Sequence, residues 1–366
     1  MKQTLISYSY LLIVLSACSQ STASKLKPEY KHPGKKAEKV RVNVMKLTKH
    51  QIIDNEGTGM VVSTYLLPEN WKTDYKFYWE YKDPTVPIRY KAMMLNDDGT
   101  MAIQTFADIR ASWYTGPSGT QGYPPPSDII TAMKELIKVE RKEKNIKYVD
   151  QKILTNHPQS FYQQGSQTRE LNQTGVIRIE YDDNGKGYEE EFYGQLDVTD
   201  VSSPSVMGNM ESVIWGASSL FACKAPRGKL EDCRRIAQTI KSSAKLTLPF
   251  YNKLAQVIQL LSNQYYQQIY QAGQLSKIIS QTNDQMIANI DASYKQTQQA
   301  YDKVNNEFSD YMRGVDRYSD GGSQVQLPSG YSNAWVNDRG EYILTNTQGY
   351  DPGTEYDGNW KPLQKK

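Results

Sequence analysis

The sequence feature that most restricts the fold is a pair of long β-like segments that meet at a tight turn. Thr168 to Tyr181 and Tyr188 to Val201 read as strands. Asn184-Gly185 lies between them, and Asn-Gly is the residue pair that two-residue hairpin turns favour. The sequence therefore predicts one long antiparallel hairpin near the middle of the chain.

Shorter strand-like and helix-like segments surround this hairpin. Ser212 to Cys223 continues the β pattern after it, and the segment from Leu230 to Leu246 has the apolar spacing of a helix. Further short strand-like runs precede it between Val42 and Ala107. Residues 42–248 are therefore predicted to form one α+β domain, an antiparallel sheet sandwiched by helices.

Three segments of this region resemble the bacterial relatives of the PsbP/Mog1-like family. They are Leu67-Pro-Glu-Asn-Trp71, Leu95-Asn-Asp-Asp-Gly-Thr100, and Ile214-Trp215 with the Phe221 to Ser243 segment that follows. The resemblance implies the sandwiched antiparallel sheet and a role in binding or assembly. It implies no catalytic residues, and a fold alone does not determine a function.

The N-terminus predicts export and a lipid anchor. Residues 1–17 contain Lys2 and an apolar stretch that is too short to span a hydrocarbon core of about 30 Å. Leu15-Ser-Ala-Cys18 resembles the bacterial lipobox, which predicts that Cys18 is acylated after residues 1–17 are removed; an ordinary secretory signal is the alternative. Ser19 at the second mature position implies the outer membrane if the cell is Gram-negative. Residues 18–41 are predicted to be a basic tether.

Two cysteines remain after Cys18. Cys223 and Cys233 are close in sequence, and an exported protein with one such pair is predicted to form one disulfide. A catalytic thiol would need a histidine partner. The three histidines, His32, His50 and His157, lack acidic or cysteine neighbours at ligand spacing, so no metal site and no cofactor are predicted.

Composition and motifs narrow the function classes. Lys+Arg 43 against Asp+Glu 40 leaves a net charge of +3, too small to indicate nucleic-acid binding. The acidic run Glu189-Glu-Glu191 has two interpretations, a carboxylate site or a solvated hairpin, and alternation along a strand favours the hairpin.

Residues 249–316 are predicted to be a helical arm. Apolar residues recur at spacings of three and four, which indicates one long helix or a helical hairpin. The arm could form a coiled coil with a partner or a second copy, or pack against its own domain. The candidates for a partner contact are Leu261, Ile279, Tyr301 and Phe308. Residues 317–366 resemble an aromatic-rich β tail of uncharacterised exported proteins.

Together these features predict a membrane-anchored lipoprotein of the bacterial cell envelope that faces the periplasm or exterior. It is expected to act as a non-enzymatic binding or assembly module, with an envelope protein or a second copy as partner. Two alternatives remain open. One is a cell-wall or glycan hydrolase whose acids meet only on folding, and the other is a carrier of a small apolar ligand, which would need a cavity of at least about 300 Å³.

Overall fold

The structure is a computed structural model, and it describes residues 44–81, 86–142, 144–163, 165–205, 208–262, 284–312, 314–319 and 324–366. Strands account for 53% and helices for 22% of it. The predicted fold class, one sheet sandwiched by helices and followed by a long helical segment, is therefore wrong. Sheets dominate because the four strands around the central hairpin have 17 to 20 residues each, and shorter strands before and after them extend the sheets.

The elements follow one another in this order. The strands are β1 Val44–Ile53, β2 Val61–Pro68, β3 Lys72–Trp79, β4 Ile88–Leu95, β5 Ala102–Thr105, β6 Ile109–Gly116, β7 Gly119–Gly122, β8 Lys147–Gln163, β9 Ser166–Asp183, β10 Lys186–Ser205, β11 Gly208–Pro226, β12 Lys245–Leu246, β13 Val315–Ser319, β14 Gln324–Pro328, β15 Asn333–Val336, β16 Tyr342–Thr345, β17 Lys361–Pro362 and β18 Gln364–Lys365. The helices are α1 Ile129–Glu140, α2 Leu230–Ser243, α3 Leu248–Ser262 and α4 Asp284–Met312.

Three antiparallel sheets are formed. The nine-stranded sheet has the order β3-β4-β5-β11-β10-β9-β8, with β6 paired to β11 and β7 paired to β6. The six-stranded sheet has the order β12-β2-β1-β16-β15-β17, and the three-stranded sheet β14-β13-β18. The predicted central hairpin is β9 and β10, and its turn residues Asn184 and Gly185 both have positive φ, as a tight hairpin turn requires.

The nine-stranded sheet has two covered faces because successive strand residues point to opposite sides. Phe192 packs on one side with α1, and Tyr193 packs on the other side with α2, α3 and α4. Helices cover only part of the long strands. Phe161, Tyr162 and Ile214 lie beyond them and are exposed.

The segment predicted as an arm turns back on itself. Tyr251 of α3 and Tyr294 of α4 have ring centroids 4.9 Å apart, and the Tyr251 hydroxyl donates to Ser293 Oγ at 3.1 Å. Residues this far apart in sequence would be tens of ångströms apart in one continuous helix at 1.5 Å per residue. The single-helix alternative is therefore wrong, and the two helices pack against the domain.

The C-terminal tail shares a sheet with the first strands. β16 pairs with β1, with Leu344 opposite Met45, and β15 pairs with β16. The predicted domain boundary at residue 317 stays a prediction, but the tail strands β15, β16 and β17 belong to the same sheet as β1 and β2.

Within the described part of the chain, none of the helices combines the length and the apolar character needed to cross a membrane.

Candidate functional site

A cavity of about 150 Å³ lies where the two large sheets and three helices meet. Its wall is mostly apolar because inward-facing strand residues meet the apolar stripes of α2 and α3. The apolar lining residues are Ile52, Val62, Tyr65, Phe77, Ile88, Tyr90, Met94, Phe106, Leu220, Phe221, Ile240, Ala244, Leu246, Phe250 and Leu254. The polar lining residues are Ser63, Thr105, Asp108, Ser219, Lys241 and Asn305.

Aromatic packing holds the wall of this cavity in place. Phe250 of α3 meets Phe77 of β3 edge to face, with ring centroids 5.7 Å apart. Phe221 of β11 stacks on Tyr193 of β10, with centroids 4.6 Å apart. Contacts of this kind add to the stability gained by burying the rings. The cavity is therefore bounded by rings whose positions the surrounding core determines.

Two polar oxygen atoms of the lining are buried without a hydrogen-bond partner. Ser63 on β2 is fully buried, and its Oγ has no hydrogen-bond partner. Asn305 on α4 is a half-buried residue, but its Oδ1 atom is buried and also has no partner. An unsatisfied buried polar group costs about 1–3 kcal/mol. Most buried polar groups in native proteins are satisfied by protein groups or by ordered water, so these two oxygen atoms are available to pair with a ligand group or a water molecule.

Lys241 is the cationic residue of the lining. Its Nζ lies 4.0 Å from the ring centroid of Phe221 and 4.6 Å from that of Phe308. Burial of the amine lowers the pKa of Lys241 to about 7, because desolvation disfavours the charged form. Within the described residues, no hydrogen bond or ion pair is formed by this amine.

Asp108 follows β5 and is the acidic residue of the lining. Burial raises the pKa of its carboxyl group to about 6, although the nearby charges of Arg110 and Arg89 and a hydrogen bond from the Ser219 backbone N–H act in the opposite direction. Ser219 has a φ of 52°, in the left-handed region, where the register between β10 and β11 shifts. Strained backbone of this kind is concentrated at functional sites.

Two residues of the acidic run in the central hairpin, Glu190 and Glu191, are buried, and Glu189 is half-buried. Glu190 lies on the α1 side, where its carboxylate accepts from Arg141 and from the Tyr181 hydroxyl. The predicted solvated hairpin is therefore wrong for these side chains. A desolvated carboxylate requires a charged partner, and alternation places Glu190 beside the arginine of one helix.

Glu191 has the corresponding arrangement on the opposite side of the sheet. Its carboxylate pairs with Arg234 of α2 and accepts from the Tyr193 hydroxyl at 2.5 Å. Glu190 and Glu191 therefore hold helices on the two faces of the sheet and do not form one acidic site.

The remaining predicted site residues lie as follows. Cys223 and Cys233 are both buried and lie next to each other as free thiols, and Cys233 Sγ donates to the Lys224 carbonyl at 3.4 Å. The disulfide stays a prediction for the exported protein. Cys18 lies outside the described residues, so its acylation also stays a prediction.

Two of the four candidates for a partner contact are not at the surface. Leu261 and Phe308 are buried inside this chain, and Phe308 packs on Tyr193 and Phe221. Tyr301 lies in α4, and Ile279 lies outside the described residues. A partner contact through the arm stays a prediction, but Leu261 and Phe308 are buried within this chain and are therefore not available at its surface.

The residues that the structure describes contain no group of three His, Cys, Asp or Glu side chains that could hold a metal ion. The cavity residues Ser63, Asp108, Lys241 and Asn305 were not expected from the sequence. Each is an ordinary polar residue in a strand, loop or helix, and no motif or spacing distinguishes it.

Comparisons with known proteins add little to this description. No protein-family model matches the chain, and no curated protein matches it. One solved structure that resembles it is the di-domain ARO/CYC StfQ from the steffimycin biosynthetic pathway, with 9% identity over 48% of this chain and 74% of that chain and a TM-score of 0.09. This similarity is too low to indicate a shared fold. None of these comparisons tests the PsbP/Mog1-like resemblance, which stays a prediction.

Proposed function

We propose that this chain is an exported, lipid-anchored protein of the bacterial cell envelope that acts as a non-enzymatic binding module. In this proposal Cys18 carries the lipid, and the folded domain faces the periplasm or exterior, from the outer membrane in a Gram-negative cell. The ligand is a small, mainly apolar molecule, and it binds in the cavity between the two large sheets.

The unsatisfied oxygen atoms of Ser63 and Asn305 in a mostly apolar wall support this proposal. Binding sites for small molecules are typically apolar with a few convergent polar groups. The cavity of about 150 Å³ is half of the volume of about 300 Å³ expected above for a carrier of a small apolar ligand, so its ligand must be smaller than the molecules to which that volume applies. An apolar protein cavity of about this volume binds benzene, so the ligand is about the size of one substituted ring.

The hydrolase alternative finds less support in this geometry. Two carboxylates that flank a scissile bond would have to meet in one concave site. Of the described lining residues, Asp108 alone is acidic. Glu190 and Glu191 lie on opposite faces of the sheet and are each paired with an arginine.

The test measures binding of benzyl alcohol to the purified full-length protein by calorimetry and ligand-observed NMR. Benzyl alcohol combines one apolar ring with a hydroxyl that can pair with Ser63 or Asn305. We expect saturable binding at one site. Ala244→Phe places a ring into the cavity from the end of α2 and should abolish binding.

Ala132→Phe is the matched control, because Ala132 is also partly buried but packs on the α1 side of the sheet. This variant should bind benzyl alcohol like the unchanged protein. No saturable binding by the unchanged protein, or equal binding by the folded Ala244→Phe protein, would overturn the proposal.

A further inference from the structure

Resting on the proposed function, we infer that the cavity recognises a small aromatic carboxylate whose anionic group binds to the Lys241 ammonium. Three features occur together in this cavity. Its apolar volume has the size of one ring, the Lys241 ammonium has no counter-charge, and the oxygen atoms of Ser63 and Asn305 have no hydrogen-bond partners.

The surroundings of Lys241 explain why an anion is the missing partner. The amine lies between the rings of Phe221 and Phe308, which attract a cation through their faces but do not neutralise its charge. A buried charge is normally paired. Arg141 and Arg234, two other largely buried cations of the domain, follow this rule, because they are paired with Glu190 and Glu191.

The unpaired oxygens define the rest of the ligand. Asn305 Oδ1 accepts hydrogen bonds, and Asn305 is joined to Lys241 because its amide Nδ2 donates to the Lys241 carbonyl at 3.5 Å. The Ser63 hydroxyl both donates and accepts. A ring that carries a carboxylate and a hydroxyl would satisfy the ammonium and one of these oxygens while its apolar body fills the cavity.

The anion and the amine make binding depend on pH in a defined direction. Lys241 must be protonated to pair with a carboxylate, and burial lowers the pKa of Lys241 to about 7. The affinity for a carboxylate should therefore fall as pH rises above 7, by about tenfold per pH unit. The affinity for a neutral ring compound should not change in this way.

Other titratable groups around the site do not produce the same dependence. The pKa of Asp108 is about 6, so its charge changes at lower pH, and the pKa of Cys223 is raised well above its usual range by burial. On α4, Asp302 interacts with Lys245, and Glu307 accepts from Thr155. The pKa of Tyr193 is raised far above the range of the measurement by burial.

The experiment compares benzoate, benzyl alcohol and benzylamine on the purified full-length protein by calorimetry between pH 7 and 9. We expect benzoate to bind at least tenfold more tightly than benzyl alcohol at pH 7, to lose that advantage by pH 9, and benzylamine to bind most weakly. Lys241→Met should retain benzyl alcohol binding and lose both the benzoate preference and its pH dependence.

The outcomes separate this inference from the proposed function. If benzyl alcohol binds but benzoate binds no better at pH 7, or if folded Lys241→Met retains the preference, the inference is overturned and the binding function stands. If no ring compound binds the unchanged protein, the proposed function fails as well. Lys253→Met, on the neighbouring helix α3, is the control for a general loss of positive charge and should retain the benzoate preference.

Discussion

Glu190 and Glu191 are neighbours on strand β10, yet their carboxylates lie on opposite faces of the nine-stranded sheet and pair with arginines of different helices. Glu190 pairs with Arg141 next to the end of α1, and Glu191 pairs with Arg234 in α2. Both carboxylates are almost fully buried. One dipeptide therefore fixes the helix layers on both sides of the sheet.

The first prediction concerns these two buried ion pairs. Glu190→Ala and Glu191→Ala should each lower the free energy of unfolding by about 3 kcal/mol, because each removes a buried carboxylate from an ion pair. Glu190→Ala leaves Arg141 without its counter-charge, and Glu191→Ala leaves Arg234 with only the more exposed Glu231. Urea unfolding followed by circular dichroism measures the loss. Glu69→Ala, which removes an exposed partner of Lys46, should cost less than about 1 kcal/mol. Equal losses in all three variants would contradict the prediction.

The second prediction concerns the sheet shared by the tail and the first strands. Leu344 is fully buried against Leu47, so Leu344→Ala should lower the free energy of unfolding by about 2–5 kcal/mol. Because β16 pairs with β1, hydrogen exchange should also accelerate at Met45 and Leu47. Gln348→Ala, at an exposed tail position, should change neither quantity. Unchanged exchange in β1 would show that the tail is energetically separate.

The central hairpin could be predicted because its information is local. The residue pair Asn184-Gly185 favours a two-residue hairpin turn, and the residues on each side of it have the composition of β-strands, which pair antiparallel as β9 and β10. The pairing of β1 with β16 could not be predicted, because the tail lies at the far end of the chain and a short strand carries no sign of its partner. The fold class failed for the same reason: sheet membership is decided by contacts between distant segments.

The cavity could not be predicted because its polar residues come from separate elements. Ser63, Asp108, Lys241 and Asn305 lie on a strand, a loop and two helices, and only tertiary packing brings them to one cavity. Burial of Glu190 and Glu191 was missed for a related reason. Their partners Arg141 and Arg234 lie far from them in sequence. Because the sequence does not show these ion pairs, three consecutive glutamates predict a solvent-exposed strand.

The third prediction is the disulfide between Cys223 and Cys233 in the exported protein. The two thiols are buried side by side, so an oxidising compartment should join them. Alkylation of the unfolded, non-reduced protein followed by mass spectrometry should find no modified cysteine at either position. After reduction both should be modified. Two reactive thiols per chain before reduction would show that the bond does not form.

The fourth prediction is acylation of Cys18. Leu15-Ser-Ala-Cys18 has the residue types of a lipobox, so the mature chain should begin at an acylated Cys18. Cys18→Ala should release the folded domain from the membrane fraction, because the lipid is the expected attachment. Ser19→Ala is the control and should leave the chain in that fraction. Mass spectrometry that finds an unmodified N-terminus at another residue would exclude the lipid anchor.

The last prediction concerns the dependence of stability on pH. Burial raises the pKa of Asp108 to about 6, above the usual value of 3.8. Between these values the folded state binds more protons than the unfolded state, so the free energy of unfolding falls as pH rises. Asp108→Asn should remove this loss, so its stability relative to the unchanged protein should rise by about 2 kcal/mol between pH 4 and pH 6. Urea unfolding at both pH values measures the gain. Asp98→Asn, in an exposed turn, is the control and should show no such gain. If Asp108→Asn shows no gain either, the Asp108 carboxyl group ionises in the folded protein as it does in the unfolded chain.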